Sequence, residues 1–309
     1  MRRGTAALAA LALLAACDRA RPPRATATPP VVERAPDASL RDASPDAPDA
    51  SPAPTGRCGL WEALGRGVWR RRCDRAGGHA AALLAGWAIR APAARSWAEA
   101  LDDARLGALG VSTLFAVEGP AQVDFRGKEL DVDGLVRALD GAVGPRSWAL
   151  VAAHSSGAHV AATLFHRAFA RGAARGLSGR VVYVDLDGDA GIAGDPERDL
   201  RAGSAAGLRR ALFVATRDAA RGLDGFSRAA MVEGARRLPR VGELWTYDAA
   251  AANCASDACA HLALVDTRPT ARGNESYGRS TAATVNVAWL ARVEPWLAAI
   301  ASGDGRGAQ

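Results

Sequence analysis

Trp148-Ala149-Leu150-Val151-Ala152-Ala153-His154-Ser155-Ser156-Gly157-Ala158-His159-Val160-Ala161-Ala162 is the stretch on which the reading of this chain turns. An apolar run of strand length ends at a serine between small residues, and a segment of helical composition begins at once. A serine on so tight a strand-to-helix turn is held in a strained backbone conformation with its hydroxyl raised. The positions two before and two after it have to be small, because strand and helix nearly touch there. Ala153 and Gly157 meet that requirement. The competing reading is a buried Ser155 that caps the helix opening at Gly157.

Working outward, apolar runs of strand length alternate with segments of helical period. Strands are expected at Ala81 to Ala85, Val111 to Val117, Trp148 to Ala153, Val181 to Asp185, Ala211 to Thr216 and Glu243 to Tyr247. Helices are expected at Ser96 to Leu109, Asp133 to Ala142, Gly157 to Arg175, Ser227 to Arg237 and Thr281 to Ile300. Ser96-Trp97-Ala98-Glu99 fits a capping box at the start of the first helix. In the last, Val285, Trp289, Val293, Trp296 and Ile300 recur at three and four, the pattern of a helix packed by one face. Regular alternation predicts an α/β fold: a mainly parallel central sheet with helices on both faces. No internal repeat interrupts it.

Ala153-His154-Ser155-Ser156-Gly157 resembles the G-x-S-x-G signature of the α/β-hydrolase superfamily, with Ala153 where glycine is usual. The order of elements supports the resemblance from about Ala80 to the C-terminal helix. It implies an α/β-hydrolase fold of the serine esterase or lipase kind, with Ser155 as nucleophile. The segment between the strands at Val181 and Ala211 is too short for a large cap domain, which implies an open site suited to soluble esters or exposed polymer ends.

A serine hydroxyl needs a base to take its proton and a carboxylate to hold that base in the right tautomer. In this family the chain order is Ser, acid, His. Among the five histidines, His79 precedes Ser155, His154 lies inside the turn, and His159 and His166 lie on the helix that follows. His261 is therefore the expected base. The acid is expected after the strand ending at Thr216, which selects Asp218; Asp185, Asp187 and Asp224 are the alternatives. The oxyanion needs two N–H donors, expected from the backbone of Ser156 and from Ala85-Gly86-Trp87-Ala88, with Trp87 as the second donor and Gly86 letting the backbone turn inward.

The chain begins differently. Arg2 and Arg3 precede an uncharged run from Ala6 to Ala16, which reads as a signal peptide over 1–16, too short to span a membrane. Leu14-Ala15-Ala16-Cys17 resembles a bacterial lipobox, implying cleavage before Cys17 and lipidation of its thiol. Residues 17–56 are rich in Pro, Ala, Asp and Arg and poor in large apolar side chains, which suits an extended tether and not a core. The folded domain is expected over 57–309. With Cys17 lipidated, Cys58, Cys73, Cys254 and Cys259 remain, and in an oxidising compartment local pairing of Cys58 with Cys73 and Cys254 with Cys259 is favoured.

The 39 basic against 33 acidic residues give a net charge of +6, but Lys128 is the only lysine and the arginines are scattered, which argues against a nucleic-acid partner. Asp185-Leu186-Asp187-Gly188-Asp189-Ala190-Gly191 has oxygens at two-residue spacing, yet its glycine is out of register for a calcium loop and Pro196 stands where a glutamate is needed. No metal or cofactor is expected. The sequence thus points to an exported, lipid-anchored serine hydrolase on the periplasmic or cell-surface side of a bacterial membrane, acting on a small-molecule or polymer ester. The alternative is a catalytically inactive hydrolase-fold lipoprotein that binds a partner or glycan.

Overall fold

Among the described residues nine strands form one sheet in the order β1-β2-β4-β3-β5-β6-β7-β8, with β9 also paired to β7. They are β1 (Glu62–Gly65), β2 (Val68–Arg72), β3 (His79–Leu84), β4 (Val111–Val117), β5 (Ala149–His154), β6 (Val181–Leu186), β7 (Leu208–Asp218), β8 (Leu223–Asp224) and β9 (Gly242–Asp248). The computed structural model describes residues 56–122, 127–188, 200, 202–269 and 274–303. The signal segment, Cys17 and the tether expected before Gly56 lie outside the described residues, as does the stretch 189–199 between β6 and β7.

Six neighbouring strands, β4-β3-β5-β6-β7-β9, run parallel, and β1, β2 and β8 add antiparallel edges. The helices are α1 (Ala91–Leu101), α2 (Val132–Ala142), α3 (Gly157–Phe165), α4 (Ala202–Ala205), α5 (Arg228–Arg237), α6 (Asp257–Leu262), α7 (Asn274–Gly278) and α8 (Ala288–Ala301). Because successive strand residues point to opposite faces, the sheet feeds two cores. Ala80, Ala82 and Leu84 pack with α2, α3 and α5 on one face. Ala81 and Leu83 pack with α1 and α8 on the other. Strands β3, β5 and β6 are buried along their whole length, which explains why they read as unbroken apolar runs.

Three expectations need correction. The first helix starts at Ala91 with Pro92 in its opening turn, so Ser96 is no cap. The Ser96 hydroxyl instead donates to the Ser280 carbonyl at 3.3 Å, and Glu99 accepts from the Trp61 indole at 2.6 Å. The α-helix after the turn ends at Phe165, and the last helix begins at Ala288 rather than Thr281, because Val285 is held in a bridge to Asp266. The antiparallel pair β1–β2 is not anticipated at all, being short, charged and partly exposed.

Disulfides join Cys58 to Cys73 and Cys254 to Cys259, the local pairings. The first ties the chain before β1 to the end of β2. The second closes the loop leading into α6, whose start is capped by Ser256 accepting the Cys259 N–H at 3.2 Å.

Candidate active site

Ser155 follows β5 directly and has φ +55°, a left-handed conformation unusual for a residue with a side chain. Its N–H donates to the Leu186 carbonyl at 3.1 Å, which pins the turn to the end of β6. Gly157 shows why the turn needs small neighbours: a Cβ there would stand 2.6 Å from the Leu84 carbonyl oxygen and 2.7 Å from that of Ala85. Ala153, in place of the usual glycine, is fully buried without disturbing the strand pairing. Ser156 stands at the N-cap of α3, where backbone N–H groups lack partners within the helix.

The strand next to β5 delivers the carboxylate. Asp187, just past β6, also has positive φ, +50°, and its N–H is held by the Val214 carbonyl at 2.9 Å. The Asp187 carboxylate is fully buried and accepts hydrogen bonds from the Phe226 N–H at 2.8 Å, from the Ser227 N–H at 3.2 Å and from Nδ1 of His261 at 2.6 Å. Gly225 permits this close approach, since a Cβ there would lie 2.2 Å from an Asp187 carboxylate oxygen. His261 comes from α6 and is itself buried, its ring 4.3 Å from that of His154 and 4.7 Å from that of Phe226. His154 precedes Ser155, so residues 155, 187 and 261 gather at one end of the parallel strands. An imidazole tied through Nδ1 to a carboxylate presents Nε2 as the acceptor for a neighbouring hydroxyl proton.

Asp218 is not the partner of His261. It lies at the end of β7, and its carboxylate is bound by the Arg221 guanidinium at 2.7 Å and by the Arg221 N–H at 3.1 Å. The Arg221 side chain holds the Asp218 carboxyl below its ordinary range. Of the alternatives, Asp185 is buried and accepts from the Tyr183 hydroxyl at 3.0 Å and the Gly188 N–H at 2.9 Å, while Asp224 is exposed beside Arg228. The arrangement is the one that an acid at the end of the strand adjoining the serine strand produces.

The expected oxyanion loop also reaches the serine. A Cβ on Gly86 would lie 3.2 Å from Cβ of Ser155, so the backbone at Gly86 borders the Ser155 side chain. The Gly86 N–H donates to the Tyr277 hydroxyl at 3.2 Å and the Ala88 N–H to the Pro120 carbonyl at 3.0 Å. Trp87 follows Gly86 and is 46% exposed. His154, Tyr277, Phe226 and Gly225 are site residues that the sequence does not single out.

A serine on a strained turn after the fifth strand, an acid after the sixth and a histidine near the end of the chain complete the pattern that the sequence resembles. The parallel strand order and the placement of these residues are those that the resemblance to α/β-hydrolases leads one to expect. No family model matches the chain, and no curated protein matches it either. Among solved structures it is similar to a hyperthermophilic esterase from the archaeon Pyrobaculum calidifontis, at 13% identity and a TM-score of 0.44, over 81% of this chain and 87% of that one. It is similar also to the esterase LipW from Mycobacterium marinum, at 15% identity and a TM-score of 0.42, over 62% of this chain and 72% of that one. A third is a hormone-sensitive lipase from a metagenome library, at 16% identity and a TM-score of 0.39, over 64% of this chain and 77% of that one. Likeness at this level decides neither reaction nor substrate, which have to come from the side chains.

Proposed function

We propose that the protein is a serine ester hydrolase acting through an acyl-enzyme on Ser155. The observation that carries the reading is the buried contact of 2.6 Å between His261 Nδ1 and Asp187, at the paired strand ends that also carry a serine at φ +55°. The Ser155 hydroxyl attacks the ester carbonyl while His261 Nε2 takes its proton. Asp187 holds the imidazole in the Nδ1–H tautomer and stabilises the imidazolium as it forms. Collapse of the tetrahedral intermediate expels the alcohol, protonated by His261. Water, activated by the same histidine, then releases the acid. The Ser156 N–H and the backbone at Trp87 are the donors assigned to the oxyanion.

Two exposed aromatics mark the substrate side. Phe226, 58% exposed, lies against the ring of His261, and Trp87, 46% exposed, follows the loop that borders Ser155. Such surfaces favour an ester carrying an apolar acyl or alcohol group. The same proposal places the protein outside the cytoplasm, lipid-anchored at Cys17. The two disulfides suit an oxidising compartment, and no helix among the described residues is long and apolar enough to cross a membrane.

Hydrolysis of 4-nitrophenyl esters of increasing acyl length by the mature protein is the test. Turnover with a pre-steady-state burst, abolished in Ser155→Ala, is expected. Absence of turnover from well-folded protein across the series contradicts the proposal and favours a binding role for the same site.

A further inference from the structure

A second histidine in this site has no part in the proton transfers described above. His154 is 1% exposed, and both its ring nitrogens are engaged. Nε2 lies 3.1 Å from the backbone carbonyl of His261, and Nδ1 meets the Tyr277 hydroxyl. A carbonyl can only accept, so Nε2 carries the hydrogen, and in the neutral ring Nδ1 then accepts the Tyr277 O–H. The Tyr277 oxygen in turn accepts the Gly86 N–H at 3.2 Å. Hydrogen bonds therefore run in one direction from Gly86 through Tyr277 and His154 to the His261 carbonyl. Burial, and secondarily the nearby His261, hold the His154 imidazole well below the usual histidine range, in keeping with a neutral ring.

The ends of this chain of bonds matter more than its middle. Gly86 belongs to the loop bordering Ser155. The His261 carbonyl lies in the last turn of α6, where carbonyls have no partner within the helix, so His154 supplies one. Tyr277 is itself fixed, 1% exposed, with its ring edge-on to that of Trp97 in α1 at 5.3 Å. The segments bearing the oxyanion donor and the base come from opposite ends of the folded chain, and this is a direct polar link between them.

We propose that His154 and Tyr277 are positioning residues that hold the oxyanion loop and the His261 base in register around Ser155. The proposal rests on the hydrolase reading above. It assigns no proton transfer to either residue; they act through the backbone of Gly86 and of His261.

The test compares wild type, Tyr277→Phe, His154→Gln and the double variant with 4-nitrophenyl acetate, each rate taken per folded molecule. Phenylalanine keeps the ring against Trp97 and removes only the hydroxyl. Glutamine keeps a donor toward the His261 carbonyl but places no acceptor atom where the ring Nδ1 meets Tyr277. Each single variant is expected to lower kcat about 10- to 100-fold with KM changed less than about threefold, because the loss is made in the transition state. The double variant is expected to be little worse than either single one, since both cut the same link. Unchanged kcat in Tyr277→Phe overturns the proposal, as do fully multiplicative losses or a loss explained by the unfolded fraction. Should Tyr277→Phe fail to fold, wild-type kcat in His154→Gln overturns it alone. Wild-type turnover that depends on Ser155 but is matched by these variants sinks only the positioning role. Absence of Ser155-dependent turnover in the wild type sinks the hydrolase reading and the positioning role together.

Discussion

Nδ1 of His261 lies 2.6 Å from a carboxylate oxygen of Asp187, and that carboxylate also accepts the N–H groups of Phe226 and Ser227. The two backbone donors fix the carboxylate before it meets the imidazole, so orientation is built into the loop after β8. Asp218, one strand further along, is taken up by Arg221.

Exchanging the two acids separates their roles. Asp187→Asn is expected to lower kcat by about 10³- to 10⁴-fold, because an amide no longer enforces the Nδ1–H tautomer of His261. Asp218→Asn is expected to leave kcat within about threefold of wild type. Its effect belongs to stability. The Arg221 side chain depresses the Asp218 carboxyl in the folded state, so the stabilisation is present above the ordinary carboxylate range and disappears as pH falls through the folded-state value. The gap in Tm between wild type and Asp218→Asn is expected to close on acidification. A large loss of kcat in Asp218→Asn with Asp187→Asn unaffected reverses the assignment.

Gly225 tests how closely the acid is placed. Gly225→Ala puts a Cβ 2.2 Å from an Asp187 carboxylate oxygen, whereas a Cβ on Gly141 in α2 meets nothing within 4 Å. Displacement of the acid by a fraction of an ångström is expected to cost about 10- to 100-fold in kcat. Gly141→Ala is expected to keep wild-type turnover. Equal turnover in both variants contradicts the placement of Asp187 beside Gly225.

Much of the fold can be read from the sequence because the central strands are buried on both faces and stand out as apolar runs between amphipathic helices. The turn at Ser155 is legible for a local reason: the approach of Gly157 to the carbonyls of Leu84 and Ala85 admits only a small residue. The acid is not. Asp187 and Asp218 both follow buried strands, and what separates them is the loop that supplies N–H donors to one and the arginine three residues on that binds the other. Arg221 is the one local sign. The link from Gly86 through Tyr277 to His154 leaves no trace in the sequence, because it joins positions far apart in the chain through single hydrogen bonds. The β1–β2 pair escapes notice because its strands are short, interrupted by charged residues and partly exposed.

In the proposed reaction Phe226 links the base to the substrate. It lies 4.7 Å from the His261 ring yet is 58% exposed. Phe226→Ala keeps the backbone N–H that binds Asp187, so kcat is expected to hold within about threefold. KM for esters with large apolar groups is expected to rise several-fold, with little change for acetate esters. A uniform fall in kcat across acyl lengths contradicts a binding role for the ring.

The central claim is that the Ser155 hydroxyl is activated by His261, and covalent labelling tests it most directly. The mature protein is treated with a fluorophosphonate and the adduct located by peptide mass spectrometry. One adduct on Ser155 is expected, absent in Ser155→Ala and formed at least about 100-fold more slowly in His261→Ala, which lacks the base. Protein that is folded but unlabelled, or labelled elsewhere, or labelled on Ser155 as fast without His261, contradicts the account.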